Sequence, residues 1–296
     1  MIQSDYDVLI IGGGMVGASL ASALAGQNLR ISLVEAAPFN VNKHPGYDDR
    51  SIALAQGTRR ILQILELWDA LALTATPIRQ IHISERSGVG FAHLDSRDQG
   101  VDALGYVVEA RLIGAALLTQ LLTLSGVDLL CSARLEQVVI EPETACATVH
   151  FGADQTIKLR AKLLVAADGA SSPVRERLGI AALRWGYRQH AVIANITPAL
   201  PHENVAYERF TDVGPIALLP MSDQRCAVVC TVNDPEVPAV MALDDAGFLR
   251  LVQERFGDRL GPLLRVGSRQ SYPLFLLKAR EHARARLAII GNAAHT

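Results

Sequence analysis

The chain has 296 residues, half of them hydrophobic and 20% charged, and 28 basic against 30 acidic side chains leave a formal net charge of -2. Such a balance fits a globular chain with a sizeable core and length for about two domains, and it lacks the clustered basic face of a nucleic-acid binder. Cys131, Cys146, Cys226 and Cys230 form no C-x-x-C pair, so they read as reduced, mostly buried thiols of a cytoplasmic protein rather than a disulfide framework.

Taken in order, Asp7 to Ile11 is an apolar strand, Gly12 to Gly17 a loop, Ala18 to Gly26 a helix with Gly26 as its stop, and Arg30 to Glu35 a second strand. Together they make a β-α-β unit of the expected length, about thirty residues. The stretch from Val8 to Leu29 carries no charge and is long enough to span a bilayer. Gly12, Gly13 and Gly14 interrupt it, and Asp5 and Asp7 stand where a signal peptide needs a basic flank, so no membrane span is expected.

Phe39 to Asp49 reads as a polar loop. Thr58 to Leu73 reads as one helix, with Ile61, Ile64, Leu65, Trp68 and Leu71 at the three-and-four spacing of a buried face. Ile78 to Leu94 shows short alternating strands. Arg111 to Leu124 returns to helical period through Leu117, Leu118, Leu121 and Leu122. Further strands are expected at Asp128–Cys131, Leu135–Ile140, Ala147–Phe151 and Thr156–Leu159. The run Leu163–Ala167 then reads as a buried parallel strand that stops at Asp168-Gly169.

Beyond Gly179 the segments His190–Ile196, Val205–Phe210, Ile216–Leu219 and Ala227–Val232 have an antiparallel pattern. Asp245 can cap a helix through Phe256, and Leu287–Ile290 is a last parallel-type strand before Gly291. The fold class is α/β: a Rossmann-like nucleotide domain interleaved with a mostly antiparallel β substrate domain. The division expected is 1–75, 107–180 and 284–296 for the first, 76–106 and 181–283 for the second.

Three segments carry chemistry. Gly12, Gly14 and Gly17 form a G-x-G-x-x-G loop between strand and helix. The first glycine makes the turn, the second admits a pyrophosphate to backbone N–H groups, and the third lets helix and strand close up. Glu35, ending the next strand, can accept hydrogen bonds from an adenosine ribose, and its charge disfavours a 2′-phosphate. Asp168 and Gly169 end a strand where open α/β sheets bind ligands. Gly291-Asn292-Ala293-Ala294-His295 comes after a third strand in the same way.

With these residues in view the chain resembles the single-component aromatic hydroxylases that use FAD and NAD(P)H. That family carries G-x-G-x-x-G at the amino end, a central D-G followed by S-x-V-R (here Asp168, Gly169, Ser172, Val174, Arg175), and a late G-D-A-A-H. The last matches Gly291, Ala293, Ala294 and His295, with Asn292 in place of the aspartate. HPGYDDRSIALAQGT (His44 to Thr58), YERFTDVGPIALLPMSDQRC (Tyr207 to Cys226) and GNAAHT (Gly291 to Thr296) resemble the ubiquinone-biosynthesis branch, asparagine included.

The resemblance implies FAD held by Gly12, Gly14, Gly17, Glu35, Asp168, Gly169 and Asn292, with Arg111 near the pyrophosphate. It implies Arg50 on the flavin or nicotinamide side, where a loop ion pair with Asp48 or Asp49 is the other reading, and His295 near the flavin. NAD(P)H is the implied co-substrate. A polyprenyl phenol would be hydroxylated by O2 through a flavin C4a-hydroperoxide, the cofactor carrying the chemistry. Tyr207, Phe210, Leu218 and Pro220 are candidates to line a substrate pocket expected between the nucleotide domain and the antiparallel sheet.

A polyprenyl tail implies a cytoplasmic protein peripheral to the inner membrane, in contact with a ubiquinone-biosynthesis assembly. The family continues past the histidine, so a truncated version of a longer protein is expected, one that binds FAD weakly or not at all and is itself inactive. No Ser-His-Asp constellation is found, and His44, His82, His93 and His150 offer no zinc spacing, so no metal is expected. An NAD-dependent dehydrogenase and a non-catalytic scaffold in a biosynthetic assembly stay open as other readings.

Overall fold

The computed structural model describes residues 3–38, 50–88, 90–152 and 155–296; the loop expected over Phe39–Asp49, with His44, Asp48 and Asp49, lies outside them. The chain divides into two compact units. The first takes Met1–Asp48, Ala110–Trp185 and Phe275–Thr296, and the second takes Asp49–Glu109 and Gly186–Leu274.

The first unit opens with β1 (Gln3–Ile11), α1 (Met15–Leu24) and β2 (Ile31–Glu35). β1 and β2 are parallel, with Val8 opposite Ile31. Every residue of β2 is buried, the mark of a parallel strand covered on both faces. Gly17, Ala18 and Ala21 form the buried side of α1, and side chains this small let the helix lie close on its strands. After the helix Gly26 takes a φ of +75°, the left-handed turn that stops it.

The chain then builds β3 (Ser51–Ala55), α2 (Gln56–Ile64), α3 (Trp68–Ala72), β4 (Thr76–Ile78), β5 (Gln80–Glu85), β6 (Phe91–Asp95) and β7 (Gly105–Glu109) in the second unit. Residues 50–75, expected with the nucleotide domain, group here because β3 pairs with β7 rather than with β1 or β2. Returning to the first unit it forms α4 (Ala110–Leu121), β8 (Val127–Cys131), β9 (Ala133–Ile140), β10 (Ala145–Phe151), β11 (Gln155–Ala166) and α5 (Pro173–Arg177).

β12 (Ala182–Pro198) leads to β13 (Val205–Phe210), β14 (Pro215–Pro220), β15 (Cys226–Asn233), α6 (Val237–Ala242), α7 (Asp245–Phe256) and β16 (Leu263–Val266). β17 (Gln270–Ala279) then brings the chain back to β18 (Ala283–Arg284) and β19 (Leu287–Ile289).

In the first unit the sheet order is β18-β19-β11-β1-β2-β8, with β10 and β9 continuing from β11. β11 is one strand where two were expected. Its lower part pairs antiparallel with β10, and it runs parallel to β1 and β19. The charges that split the pattern point outward: Lys162 Nζ lies 2.7 Å from Asp7 Oδ1.

The second unit's main sheet runs β16-β12-β15-β14-β13-β5-β6. It is antiparallel except where β13 lies parallel to β5. α6 and α7 pack on one face, with Val240, Phe248, Val252 and Phe256 against Val192, Ile216, Leu218 and Val228. The small sheet β3-β7-β4 contributes Ile78 and Val107 to a cluster with Ala206, Met221 and Ala227.

Two helix expectations are corrected as well. The helix over Thr58–Leu73 is two helices, because Glu66 takes a φ of +58° and resets the helical register. Ile61 and Ile64 are therefore 56% and 81% exposed, while Leu62, Leu67, Trp68 and Leu71 are buried. The cap of α7 is Asp244, whose Oδ1 accepts the N–H of Gly247 at 2.7 Å; Asp245 is the first helical residue. Among the described residues no helix is long and apolar enough to cross a membrane.

Candidate cofactor site

The glycine loop turns where β1 ends. Gly12 takes a φ of +106°, and its N–H donates to Val34 O at 2.8 Å. A Cβ on Gly12 would strike the carbonyl of Ala167 and come within 2.8 Å of Asp168 Cα. The first glycine therefore does more than turn the chain: it seats the loop directly on the Asp168-Gly169 segment. A Cβ on Gly17 would collide with Gly12 O, so helix and loop touch backbone to backbone there.

Gly14 differs from both. It caps α1 with φ -64° and ψ -179°, and among the described residues a Cβ there would meet nothing within 4 Å. Open space thus lies over the amino end of a ten-residue helix. The first-turn N–H groups of such a helix lack intrahelical partners, and its dipole favours an anion.

Glu35 is 9% exposed. Gly13 N–H donates to its Oε2 at 2.6 Å and Ala37 N–H to its Oε1 at 2.7 Å. The carboxylate therefore braces the glycine loop from the end of β2.

Asp168 comes directly after β11. Val174 N–H donates to its Oδ2 at 2.9 Å, while its Oδ1 is buried and has no hydrogen-bond partner among the described residues. Burial pushes this carboxyl above the ordinary aspartate range, outweighing the bonds it accepts and the charge of Arg175. An orphaned buried carboxylate oxygen is costly unless a ligand donates to it. Gly169 turns the chain away with a φ of +83°.

The closing segment docks on the same helix end. A Cβ on Gly291 would lie 3.1 Å from Val16 Cγ2 in the first turn of α1. Asn292 and His295 are exposed. His295 N–H donates to Gly291 O at 3.0 Å, and its ring centre lies 6.2 Å from that of His282.

No local spacing marks Arg175 as functional, yet it ties two motifs together. It is 8% exposed. Its Nη2 donates to Ala170 O at 2.7 Å and its Nη1 to Ala293 O. Only its place in S-x-V-R could have drawn attention to it; periodicity carries no such signal.

Arg111 is exposed near the start of α4. Arg50 belongs to the second unit, with its guanidinium 4.8 Å from the centre of the Tyr272 ring. The four pocket candidates do not gather. Leu218 is fully buried beneath α6 and α7, and Tyr207, its cross-strand neighbour, packs edge-on against Phe256. Pro220 is buried, and Phe210 is 49% exposed at the end of β13.

A parallel sheet with a glycine loop, two further strand-end turns and a mostly antiparallel second sheet defines the FAD-binding monooxygenase fold. The p-nitrophenol 4-monooxygenase PnpA from Pseudomonas putida DLL-E4 shares it, with a TM-score of 0.79 over 100% of this chain and 74% of that one, at 21% identity. A family model described as FAD binding domain matches residues 5–296. Ubiquinone hydroxylase UbiL of Rhodospirillum rubrum is 37% identical over 289 residues, 98% of this chain and 66% of that protein. Ubiquinone hydroxylase UbiM of Neisseria meningitidis is 30% identical over 293 residues, 97% of this chain and 63% of that protein. The chain belongs to the FAD-binding ubiquinone hydroxylase family, and it spans about two thirds of the length of these curated relatives.

Proposed function

We propose that the protein acts as an FAD-dependent monooxygenase that hydroxylates a polyprenyl phenol in ubiquinone biosynthesis, with NAD(P)H as reductant and O2 as oxidant. The observation that carries this reading is the convergence of Gly12, Asp168 and Gly291 on the amino end of α1. The residues fit FAD: open space over Gly14 for the pyrophosphate, and an orphaned Asp168 Oδ1 for a hydroxyl donor. Bound FAD would supply hydride acceptance and oxygen activation.

In this reading the first-turn N–H groups of α1 hold the pyrophosphate, helped by Arg111, and Glu35 accepts the adenosine ribose. Asp168 and Asn292 bond hydroxyls of the cofactor's sugar or ribityl chain, with Gly169 turning the backbone clear. Arg175 acts on the cofactor only through the loops it positions. Arg50 and His295 serve the flavin side. The polyprenyl tail brings the protein to the surface of the inner membrane and to the assembly that passes the substrate on. A dehydrogenase using NAD would leave the Asp168 and Asn292 segments without a ligand to contact.

The test is direct. FAD titration should develop bound-flavin absorbance, and product analysis by mass spectrometry should show one oxygen atom from heavy-labelled O2 in the phenol. A bound nicotinamide without flavin, or a product without added oxygen, would refute the proposal.

A further inference from the structure

The main sheet of the second unit has two unlike faces. Tyr207 packs on Phe256, and Arg209 Nη1 donates to Phe256 O, so these two side chains of β13 face α7. Glu208 lies between them and leaves on the opposite face, because strand side chains alternate. On that opposite face the small sheet covers a first row, with Ile78 and Val107 packed near Ile81, Ala206, Leu219 and Ala227.

The next row is different. Ile83, Glu208, Ala217, Val229 and Ile193 stand in register across β5, β13, β14, β15 and β12. Each of the five is only partly buried. At ordinary strand spacing the row is about 19 Å wide, an aliphatic strip with one carboxylate in it. Among the described residues Glu208 has no hydrogen bond or ion pair, and burial alone pushes its carboxyl above the ordinary glutamate range. A half-buried carboxylate without a donor costs stability, and the structure gives it no compensating role within the fold.

An aromatic ring with an alkyl tail and one hydroxyl matches such a strip: apolar area for the aliphatic side chains, one O–H for the acid. We infer that Glu208 accepts the phenolic O–H of the substrate while the ring lies on the row formed by Ile83, Ala217, Val229 and Ile193. The inference rests on the aromatic-hydroxylase reading above and names the residue that recognises the hydroxyl. The proton stays shared between phenol and carboxylate, and no bond breaks. The interaction orients the ring and raises its electron density for attack on an electrophilic oxygen.

The test compares 2-propylphenol with its methyl ether, 2-propylanisole, in FAD-loaded wild type, Glu208→Gln and Glu208→Leu, by calorimetric titration. Wild type should bind the phenol about tenfold tighter than the ether, the scale of a hydrogen bond to a charged acceptor. Glu208→Gln should keep part of that preference. Glu208→Leu should bring the ratio to about one without weakening the ether, and should melt no lower than wild type. A phenol preference that survives in Glu208→Leu overturns the inference. Equal binding of both ligands by wild type overturns it too, while leaving the aromatic-substrate reading intact; binding of neither refutes both.

Discussion

Two glycines two positions apart have opposite jobs. At Gly12 a methyl group meets the Ala167 carbonyl under a φ of +106°, so Gly12→Ala should cost about 2–5 kcal/mol through overpacking and backbone strain, read by chemical denaturation. At Gly14 a side chain meets open space, so Gly14→Val should fold with a loss of about 1 kcal/mol for the poorer cap yet lose FAD affinity. A Gly14→Val protein that titrates with FAD like wild type would remove the pyrophosphate from this helix end. Asp168 supplies a pH signature. Its folded-state carboxyl titrates above the unfolded one because of burial. The ionised form therefore counts against folding as pH rises from the ordinary aspartate value through the raised one, and the penalty is complete above it. Without FAD, Asp168→Asn should raise the melting temperature at neutral pH. The gain should vanish below the ordinary aspartate range, and FAD binding should weaken. The glycine spacing, Glu35 and Asp168 were legible as single residues. Arg175 was not legible as a clamp, because its partners are the carbonyls of Ala170 and of the distant Ala293.

At the scale of elements, the clearest departure is α2 and α3. Helical spacing marks a face, but a single left-handed residue at Glu66 rotates α3 relative to α2 and puts Leu62, Leu67, Trp68 and Leu71 inward. Leu71→Ala should cost about 2–5 kcal/mol, whereas Ile64→Lys should stay within about 0.5 kcal/mol. Urea melts of the two variants decide whether the face is assigned correctly. Parallel and antiparallel character read well from composition: the fully buried β2 and the apolar end of β11 announce a covered sheet. β11 also shows the limit of such reading. Its outward Lys158, Arg160 and Lys162 break the apolar run, although the backbone continues through them.

In the whole molecule, three segments separated by more than a hundred residues each meet in the first unit, and a ligand there should act on all of them. FAD at a hundredfold excess over its Kd should add about 2.7 kcal/mol to folding stability. Hydrogen exchange should slow together at Gly12–Gly17, Asp168–Arg175 and Gly291–His295. Protection of the glycine loop with unchanged exchange at the other two segments would mean that they do not share the ligand.

Sequence alone determined the β-α-β opening, the strand-then-glycine breaks, the α/β class and the resemblance to a flavin-dependent family, because each is written in local spacing and residue type. Tertiary structure decided which of those pieces touch: Gly12 on Asp168, Gly291 on Val16, Arg175 between two loops. It also decided which face of the second sheet closes into a core and which leaves Glu208 half-buried on an aliphatic row. Periodicity records that a face is apolar; what comes to lie against it depends on partners far along the chain, and only the folded backbone brings those together.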